Sequence, residues 1–371
     1  MKFSRIIANT GEWLSGDGPH RQIVVSSRIR LARNLSRAAF PGWAKRTERM
    51  ETLGVIRPAL ESLPEMHDAY AQNLTELTAL ERQVLVERHL ISREHAAKGA
   101  GSAVVMNVEQ TLSFMVNEED HLRMQAIRCG LQLTEAFAMV DKCDTELSSV
   151  LDFAYHEELG YLTACPTNVG TGMRASAMLH LPGLVMGDQI NKIINSVNKI
   201  GLAVRGLHGE GTEAMGNLFQ VSNQTTLGES EEQIIARLNE VILHIIEHEE
   251  NARQTLVERR STTVLDQVGR AFGILCNAHS MTSKEALNLL SIIKLGIDLG
   301  LFPDRARMMI DELFIETQPA HLQKGAQGQK MTAEARDALR AELIRAKLKQ
   351  LPVPDTSKVP ITEATKEPND E

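Results

Sequence analysis

The chain has 371 residues, of which 43% are apolar and only 4% aromatic, and its formal net charge is -8. That length suffices for one large domain or two smaller ones, with a core built from aliphatic side chains and methionine. The acidic balance argues against direct nucleic-acid binding, no run of about 18 apolar residues is present to cross a membrane, and the amino terminus lacks the apolar stretch of a secretory signal. The four cysteines, Cys129, Cys143, Cys165 and Cys276, show no CxxC spacing. This argues against a metal cluster or a disulfide scaffold and fits a reducing cytoplasm.

In chain order, Ile23-Val24-Val25 reads as a strand running into Ser26-Ser27-Arg28-Ile29-Arg30. Residues 50–100 read as helical, with Thr78 and Glu81 forming a capping box ahead of Leu85 and His89. Val104–Val108 and Leu112–Val116 suit a hairpin, and the pattern after Asn117-Glu118-Glu119-Asp120-His121 reads as a helix through Phe137. A helix is expected over 188–200, with Ile190, Ile194 and Val197 on one side, followed by a strand at Leu202-Ala203-Val204. Ser230 with Gln233 caps a long amphipathic segment reaching about residue 257, and Thr282 with Glu285 caps another bearing Leu287, Leu290 and Ile293. Residues 332–349 form a last, highly charged helix, and the proline-rich acidic tail after it reads as disordered. The fold class implied is α+β.

Arginines recur beside strand ends and turns. Arg28 and Arg30 alternate along a strand and so share a face. Arg123 stands four residues after Glu119, Arg174 follows the glycine turn Asn168–Gly172, and Arg205 precedes Gly206. Any one of these reads equally well as a surface residue. Five converging on one cleft would repel one another unless an anion such as a triphosphate neutralised them, and guanidinium forks match phosphate oxygens. Two carboxylate sites accompany them: the acidic run 118–120, and Glu210 between two glycines. A guanidinium acceptor needs such carboxylates, which recognise its planar fork and take a proton from a group that is otherwise a poor nucleophile. The bland alternative for both is solvated surface acid. Cys165 is either a small buried apolar residue or a thiolate stabilised by Arg174. The chain contains no GxxxxGK[ST] loop and no HRD or DFG signature, so any phosphate grip rests on side chains.

Four segments, Val25–Arg33, Val116–Arg123, Cys165–Ser176 and Val204–Glu213, resemble in order the phosphagen kinases, the creatine and arginine kinases. The resemblance covers roughly residues 20–255. It implies an antiparallel β-sheet core surrounded by helices, and ATP with Mg²⁺ held mainly by the nucleotide. Arg28, Arg30, Arg123, Arg174 and Arg205 would hold the phosphates. Glu119 and Glu210 would clamp the acceptor guanidinium, with Glu119 as the base and Cys165 as the thiolate beside it. No protein metal ligands are implied.

Arg28 lies too near the start of this sequence for the helical domain that precedes the arginine pair in the free-guanidine kinases, so a more open site is expected. In this the chain resembles the bacterial protein arginine kinase branch of the family. That branch carries a helical C-terminal region with an Arg-Asp-x-x-Arg-Ala motif for phosphoarginine, matched here by Arg336-Asp337-Ala338-Leu339-Arg340-Ala341. A charged helical face is the plainer reading of that segment. Met178 stands where metazoan members place a histidine near the adenine, and His89 is a loosely aligned candidate on the base side. The expected divisions are a catalytic domain over 1–255, a helical region over 256–350 and a disordered tail over 351–371. The implied activity is phosphorylation of arginine in proteins. Implied partners are arginine-bearing proteins, a Clp-type protease system, an activator protein and a second copy in a homodimer, in cytoplasmic protein quality control. A small-molecule guanidine kinase and a catalytically idle phosphoarginine-binding adaptor are the alternatives.

Overall fold

The structure, a computed structural model, describes residues 2–206, 214–326 and 331–360. Its centre is an eight-stranded sheet in the order β2-β3-β4-β5-β1-β8-β10-β9, antiparallel at every pairing. The strands are β1 (Val24–Arg33), β2 (Tyr70–Asn73), β3 (Ala103–Met106), β4 (Leu112–Val116), β5 (Leu122–Cys129), β8 (Met173–His180), β9 (Leu202–Gly206) and β10 (Leu218–Asn223); β6 (Tyr155–His156) and β7 (Gly160–Tyr161) form a separate ribbon. Helices α1 (Phe3–Ala8) and α2 (Glu12–Ser15) precede the sheet; α3 (Arg46–Glu61), α4 (Ala79–Glu87), α5 (Arg93–Ala96), α6 (Leu133–Ser148), α7 (Pro182–Met186) and α8 (Ile190–Lys199) fall between its strands. After it come α9 (Glu231–Asn277), α10 (Ser283–Asp298), α11 (Ala306–Glu316), α12 (Pro319–Gly325) and α13 (Ala333–Leu348).

Side chains alternate across a strand, so the register decides which residues share a face. Ile29 and Leu31 of β1 oppose Ala126 and Met124 of β5 and Ala175 and Met173 of β8. Together with Phe219 and Val221 they make one apolar face, covered by α3, α6, α8 and the first half of α9 in a single core. A second core joins the later part of α9, from Leu256 onward, to α10, α11 and α13. α9 runs through both, capped by the Ser230–Gln233 box and broken only at Arg260 (φ −136°, ψ 33°). The two cores change over between Ala252 and Leu256, within α9 and ahead of its break.

A buried ionic chain ties the second core to the first. Glu249 accepts from the Gly183 and Leu184 amides at 2.8 and 2.9 Å, capping α7, and from Arg253 Nε at 2.6 Å. Arg253 reaches Asp298 at 2.8 Å, and Asp298 also accepts from Arg307. Each charge has a partner, which is what makes their burial tolerable.

Several expectations change. The span read as helical over 50–100 also contains β2, an edge strand too short to show periodicity. The segment after His121 is strand β5, with the helix delayed to Leu133. Met124 and Ala126 are buried on one side while Arg123 and Gln125 face the other, a period of two hidden by apolar residues on both faces. The long helix passes residue 257 and continues to Asn277. Of the tail read as disordered, 351–360 is ordered: Leu351 and Val359 pack into the second core and Asp355 N donates to Leu301 O at 2.8 Å. Residues 361–371 lie outside the described residues. The Thr78 and Thr282 caps and the buried Ile190, Ile194 and Val197 are as read.

Removing the carboxylate of Glu249 leaves two amides and Arg253 short of a buried partner. Glu249→Ala is expected to lower the unfolding free energy by about 3 kcal/mol, measured as a shift of the urea midpoint at unchanged m-value.

Candidate functional site

The face of the sheet opposite the apolar one carries the arginines. Arg28 pairs across with Ser176, Arg30 with Arg174 and with Gln125, Ala32 with Arg123, and Arg205 with Gln220. All five predicted arginines thus project from one surface, on the four strands β5, β1, β8 and β9. Arg28 donates to Gln220 Oε1 at 2.8 Å and Arg174 to Ser222 Oγ at 3.2 Å. Arg30 Nε and Arg174 Nε are buried with no hydrogen-bond partner among the described residues. Arg205 is exposed at the sheet edge.

Their electrostatics show what is missing. Burial, then Arg123 and Arg174, pull the Arg28 guanidinium down to about 10. Burial and the neighbouring Arg28, Arg123 and Arg174 pull Arg30 well below its ordinary value, opposed by Glu118. Arg174 is lowered by burial, Arg205 and Arg123, with Cys165 opposing. The depression reflects burial first and mutual repulsion second, and an anion bound among these groups would offset both.

Glu118 is the buried counter-charge. It pairs with Arg123 at 2.5 Å and accepts from the Ser92 hydroxyl, which itself caps α5. Burial alone would push its carboxyl up, but Arg123, Ser92, His95 and the Glu119 amide together hold it below the usual range. The turn that carries it is tightly braced. Asn117 adopts φ 54° and donates to Gly101 O at 2.7 Å and Arg49 O at 2.9 Å. His121 accepts from Leu35 N at 3.1 Å and donates through Nε2 to Ala39 O at 3.0 Å. This is a neutral tautomer, in keeping with a pKa lowered by burial.

Glu119 is left at the tip, its side chain 47% exposed and 3.9 Å from Arg123. Burial pushes its carboxyl up, Arg123 opposes, and Asp120, Glu118 and Glu94 push it further up. Asp120, fully buried, accepts from Asn34 Nδ2 at 2.6 Å and from Ala164 N at 2.7 Å. One carboxylate therefore links the acidic turn to the loop that presents Cys165, next to Ala164. That loop lies close against its neighbours. A Cβ on Gly170 (φ 110°) would meet Thr226 O at 2.2 Å, and one on Gly172 (φ 64°) would meet Ala32 O at 2.7 Å. The thiol of Cys165 is partly exposed, 3.0 Å from the Thr167 hydroxyl.

Behind Arg28 the surface hollows. Ser26, Arg28, His89, Ser176, Met178 and Gln220 line a small recess, and His89 and Met178 also line a larger, partly open hollow. Its walls are mostly apolar, from Trp13, Leu14 and Leu218 on the sheet side and Leu287, Phe314 and Ile315 on α10 and α11. His89 adopts φ 58° and its ring meets Trp13 edge-on at 5.6 Å.

The structure thus brings together Arg28, Arg30, Arg123, Arg174, Arg205, Glu119 and Cys165; Glu210 lies outside the described residues. Arg336, Asp337 and Arg340 sit apart, on α13. Arg340 is buried at 1% exposure, donating to Thr317 O at 2.8 Å, Met281 O at 2.7 Å and Asp337 at 2.5 Å, while Arg336 is half-buried. Of the three residues expected to bind phosphoarginine, Arg340 is thus engaged with Asp337 and with the carbonyls of Met281 and Thr317. Sequence reasoning missed Glu118, Asp120 and Asn34 as braces. Their signal was the alternation in 118–120 and an Asn directly after the arginine strand. Among the described residues no group of three or more His, Cys, Asp or Glu is arranged to hold a metal ion.

A polyanion-seeking sheet face, rimmed by a half-exposed carboxylate and a thiol, is the equipment of a phosphoryl transferase with a cationic acceptor. Comparison with known proteins agrees. Residues 53–252 match the family model for the ATP:guanido phosphotransferase C-terminal catalytic domain, and residues 261–359 match that of the protein-arginine kinase McsB C-terminal domain. Curated relatives named protein-arginine kinase include one from Halothermothrix orenii, 46% identical over 92% of this chain and 97% of its own. Another, from Symbiobacterium thermophilum, is 46% identical over 94% and 99%. Among solved structures, a lombricine kinase superposes with TM-score 0.55 at 26% identity, covering 63% of this chain and 68% of its own. The duplicated taurocyamine kinase from Schistosoma mansoni, with bound transition-state-analogue components, shares the fold at TM-score 0.57 and 24% identity, over 75% of this chain and 41% of its own. The chain belongs to the ATP:guanido phosphotransferase family.

Arg30 is the most strained of the array, and its removal should act in opposite directions on stability and binding. Arg30→Met is expected to stabilise the nucleotide-free protein by about 1–3 kcal/mol in thermal or urea unfolding. In titration calorimetry it should weaken ATP binding at least about tenfold, as loss of a charge-assisted phosphate contact requires.

Proposed function

We propose that the chain transfers the γ-phosphoryl group of ATP to the guanidinium of arginine residues in proteins. The observation that carries this is the single sheet face bearing five arginines, with Glu119 and Cys165 at its rim. The C-terminal family match and the names of the curated relatives support a protein-bound acceptor.

In this reading Arg28, Arg30, Arg123, Arg174 and Arg205 hold the triphosphate and its transition-state charge, and Glu118 fixes Arg123 for that task. The base lies in the apolar cavity beyond His89 and Met178. Mg²⁺ accompanying ATP would be held mainly by the nucleotide and would offset phosphate charge, since the nearby Glu118 is already engaged by Arg123 and Ser92. Glu119 orients the acceptor guanidinium and, with Glu210, grips its fork; Cys165 as thiolate adds a negative charge beside it. A guanidinium nitrogen attacks the γ-phosphorus in line, the bond to the bridging β–γ oxygen breaks, and ADP leaves with the electron pair. The proton lost from nitrogen passes to Glu119.

The reading extends to two functional units, the catalytic one over 1–255 and a helical one over 256–350. On the second, Arg336 with Asp337 binds phosphoarginine and Arg340 fixes Asp337. A homodimer, an activator protein and a Clp-type protease system in cytoplasmic protein quality control rest on the family resemblance. The free state of all four cysteines suits a reducing compartment.

Incubation with ATP, Mg²⁺ and an arginine-rich protein, followed by mass spectrometry without acid, should reveal phosphoarginine, with free arginine a poor acceptor. Faster turnover of free arginine or creatine would remove the protein acceptor and leave the chemistry. Glu119→Gln should lower kcat by about 10²–10⁴-fold. Because Glu119 acts ionised and its pKa is raised, the rate should rise with pH along an acid limb lying above the ordinary glutamate value of about 4.3. A limb at or below that value, persisting unchanged in Glu119→Gln, would assign the base elsewhere.

A further inference from the structure

We propose that Lys294 and Asp311, a buried ion pair supplied by α10 and α11, read the base of the nucleotide and select adenine; this rests on the ATP-binding reading above. Both residues line the partly open hollow, together with His89 and Met178, which also close the recess around Arg28. A nucleotide whose phosphates lie on the arginine face has this hollow as the adjoining space for its base. The walls suit a planar ring: Trp13, Leu14, Leu287, Phe314 and Ile315 offer apolar surface and no hydrogen bonds apart from the indole N–H of Trp13.

Polar groups in such a wall need a reason. Glu87, also on the wall, is spent on the Ala320 and His321 amides and the His321 ring. Lys294 is 2% exposed and Asp311 9%, and they bond one another. As a mere pin between two helices the pair contributes little, because desolvation cancels most of the attraction. The pair also leaves capacity unused. An ammonium has three donors and a carboxylate two oxygens, yet among the described residues only one Nζ–Oδ1 bond uses them. A donor beside an acceptor, both desolvated, is the complement of a purine edge. With ATP as the donor, the Asp311 oxygen accepts from the exocyclic N6 amine and Lys294 donates to the adjoining ring nitrogen. Guanine reverses that order, presenting an acceptor at position 6 and a donor at position 1, so it clashes in this register.

Lys294 and Asp311 lie within residues 261–359 and outside the match to the catalytic-domain family model, residues 53–252. Base selection is thereby assigned to the helical region, while the sheet supplies the phosphate grip. A site that hydrogen-bonds a polar substituent rejects an analogue lacking it far better than an apolar slot does, because its own buried groups are left unpaired.

The test is titration calorimetry of the full chain with ADP, GDP and purine riboside 5′-diphosphate, which lacks the N6 amine, and needs no acceptor. ADP should bind at least about tenfold more tightly than either analogue. The Lys294→Met/Asp311→Leu double variant, which replaces the pair by apolar volume, should bring the three affinities to within a few-fold of one another. Should melting curves show it unfolded, Asp311→Asn carries the same comparison and should reduce the ratio. A wild-type ratio near one, a preference for GDP, or an undiminished ratio in a folded variant each overturns the proposal. Failure to bind any of the three diphosphates overturns it together with the ATP reading. Preserved ADP selectivity without phosphoarginine formation removes only the acceptor assignment.

Discussion

Guanidinium groups brought together on one sheet face repel, and burial strengthens the repulsion by excluding the water that would screen it. Arg28, Arg30, Arg123 and Arg174 meet this condition, and much of the molecule can be read as what makes it tolerable. Glu118 neutralises one of them, at the cost of its own burial, and is held ionised by Ser92 and by Arg123 itself. Gln220 and Ser222 give Arg28 and Arg174 neutral acceptors. The apolar underside of the same strands, packed by α3, α6, α8 and α9, provides the burial that offsets the strained upper side. What remains uncompensated is the affinity for a polyanion, which is how a phosphate site can be both pre-formed and empty of backbone cradles.

On the proposed acceptor side a different constraint applies. There Glu119 is placed without being consumed, and the residues flanking it take the structural load. Glu118 and Asp120 turn inward, the first to the arginines and the second to Asn34 and Ala164, and the residue between them is left at the tip. Asp120 also holds the loop before Cys165, so one carboxylate ties the positions of the Glu119 turn and the thiol. The glycines at 170 and 172 allow that loop to lie against Thr226 and Ala32 at distances no side chain permits.

α10 and α11 bring the helical region up to the hollow beside the arginine face. This pair of helices lines the apolar cavity through Leu287, Lys294, Asp311 and Phe314. Arg340 ties the start of α10 to the end of α11, at Met281 O and Thr317 O. The Glu249–Arg253–Asp298–Arg307 chain then fastens both to the sheet.

Local chemistry was legible along the chain. The capping boxes at Thr78 and Ser230 and the i, i+4, i+7 spacing of Ile190, Ile194 and Val197 are properties of a few adjacent residues, and they formed as read. So did the shared face of Arg28 and Arg30, since alternation along a strand is a matter of two bonds. The five arginines, Glu119 and Cys165 were singled out by residue type and by four ordered segments that resemble a known family, and the strand register puts the five arginines on one face. What tertiary structure decided were the partners. β5 passed for a helix because its apolar/polar alternation holds only over Leu122–Ala126 and breaks at Ile127, too short a run to outweigh the helical pattern that follows it. Arg340 passed for a surface charge because nothing in a charged helix announces that Met281 and Thr317, distant in sequence, will close over it. The pairing of Glu118 with Arg123, the bridge from Asp120 to Ala164 and the cavity faced by Lys294 and Asp311 have the same character. Each depends on segments that meet only when the sheet and the C-terminal helices have packed, and long-range packing leaves no periodic mark on a sequence.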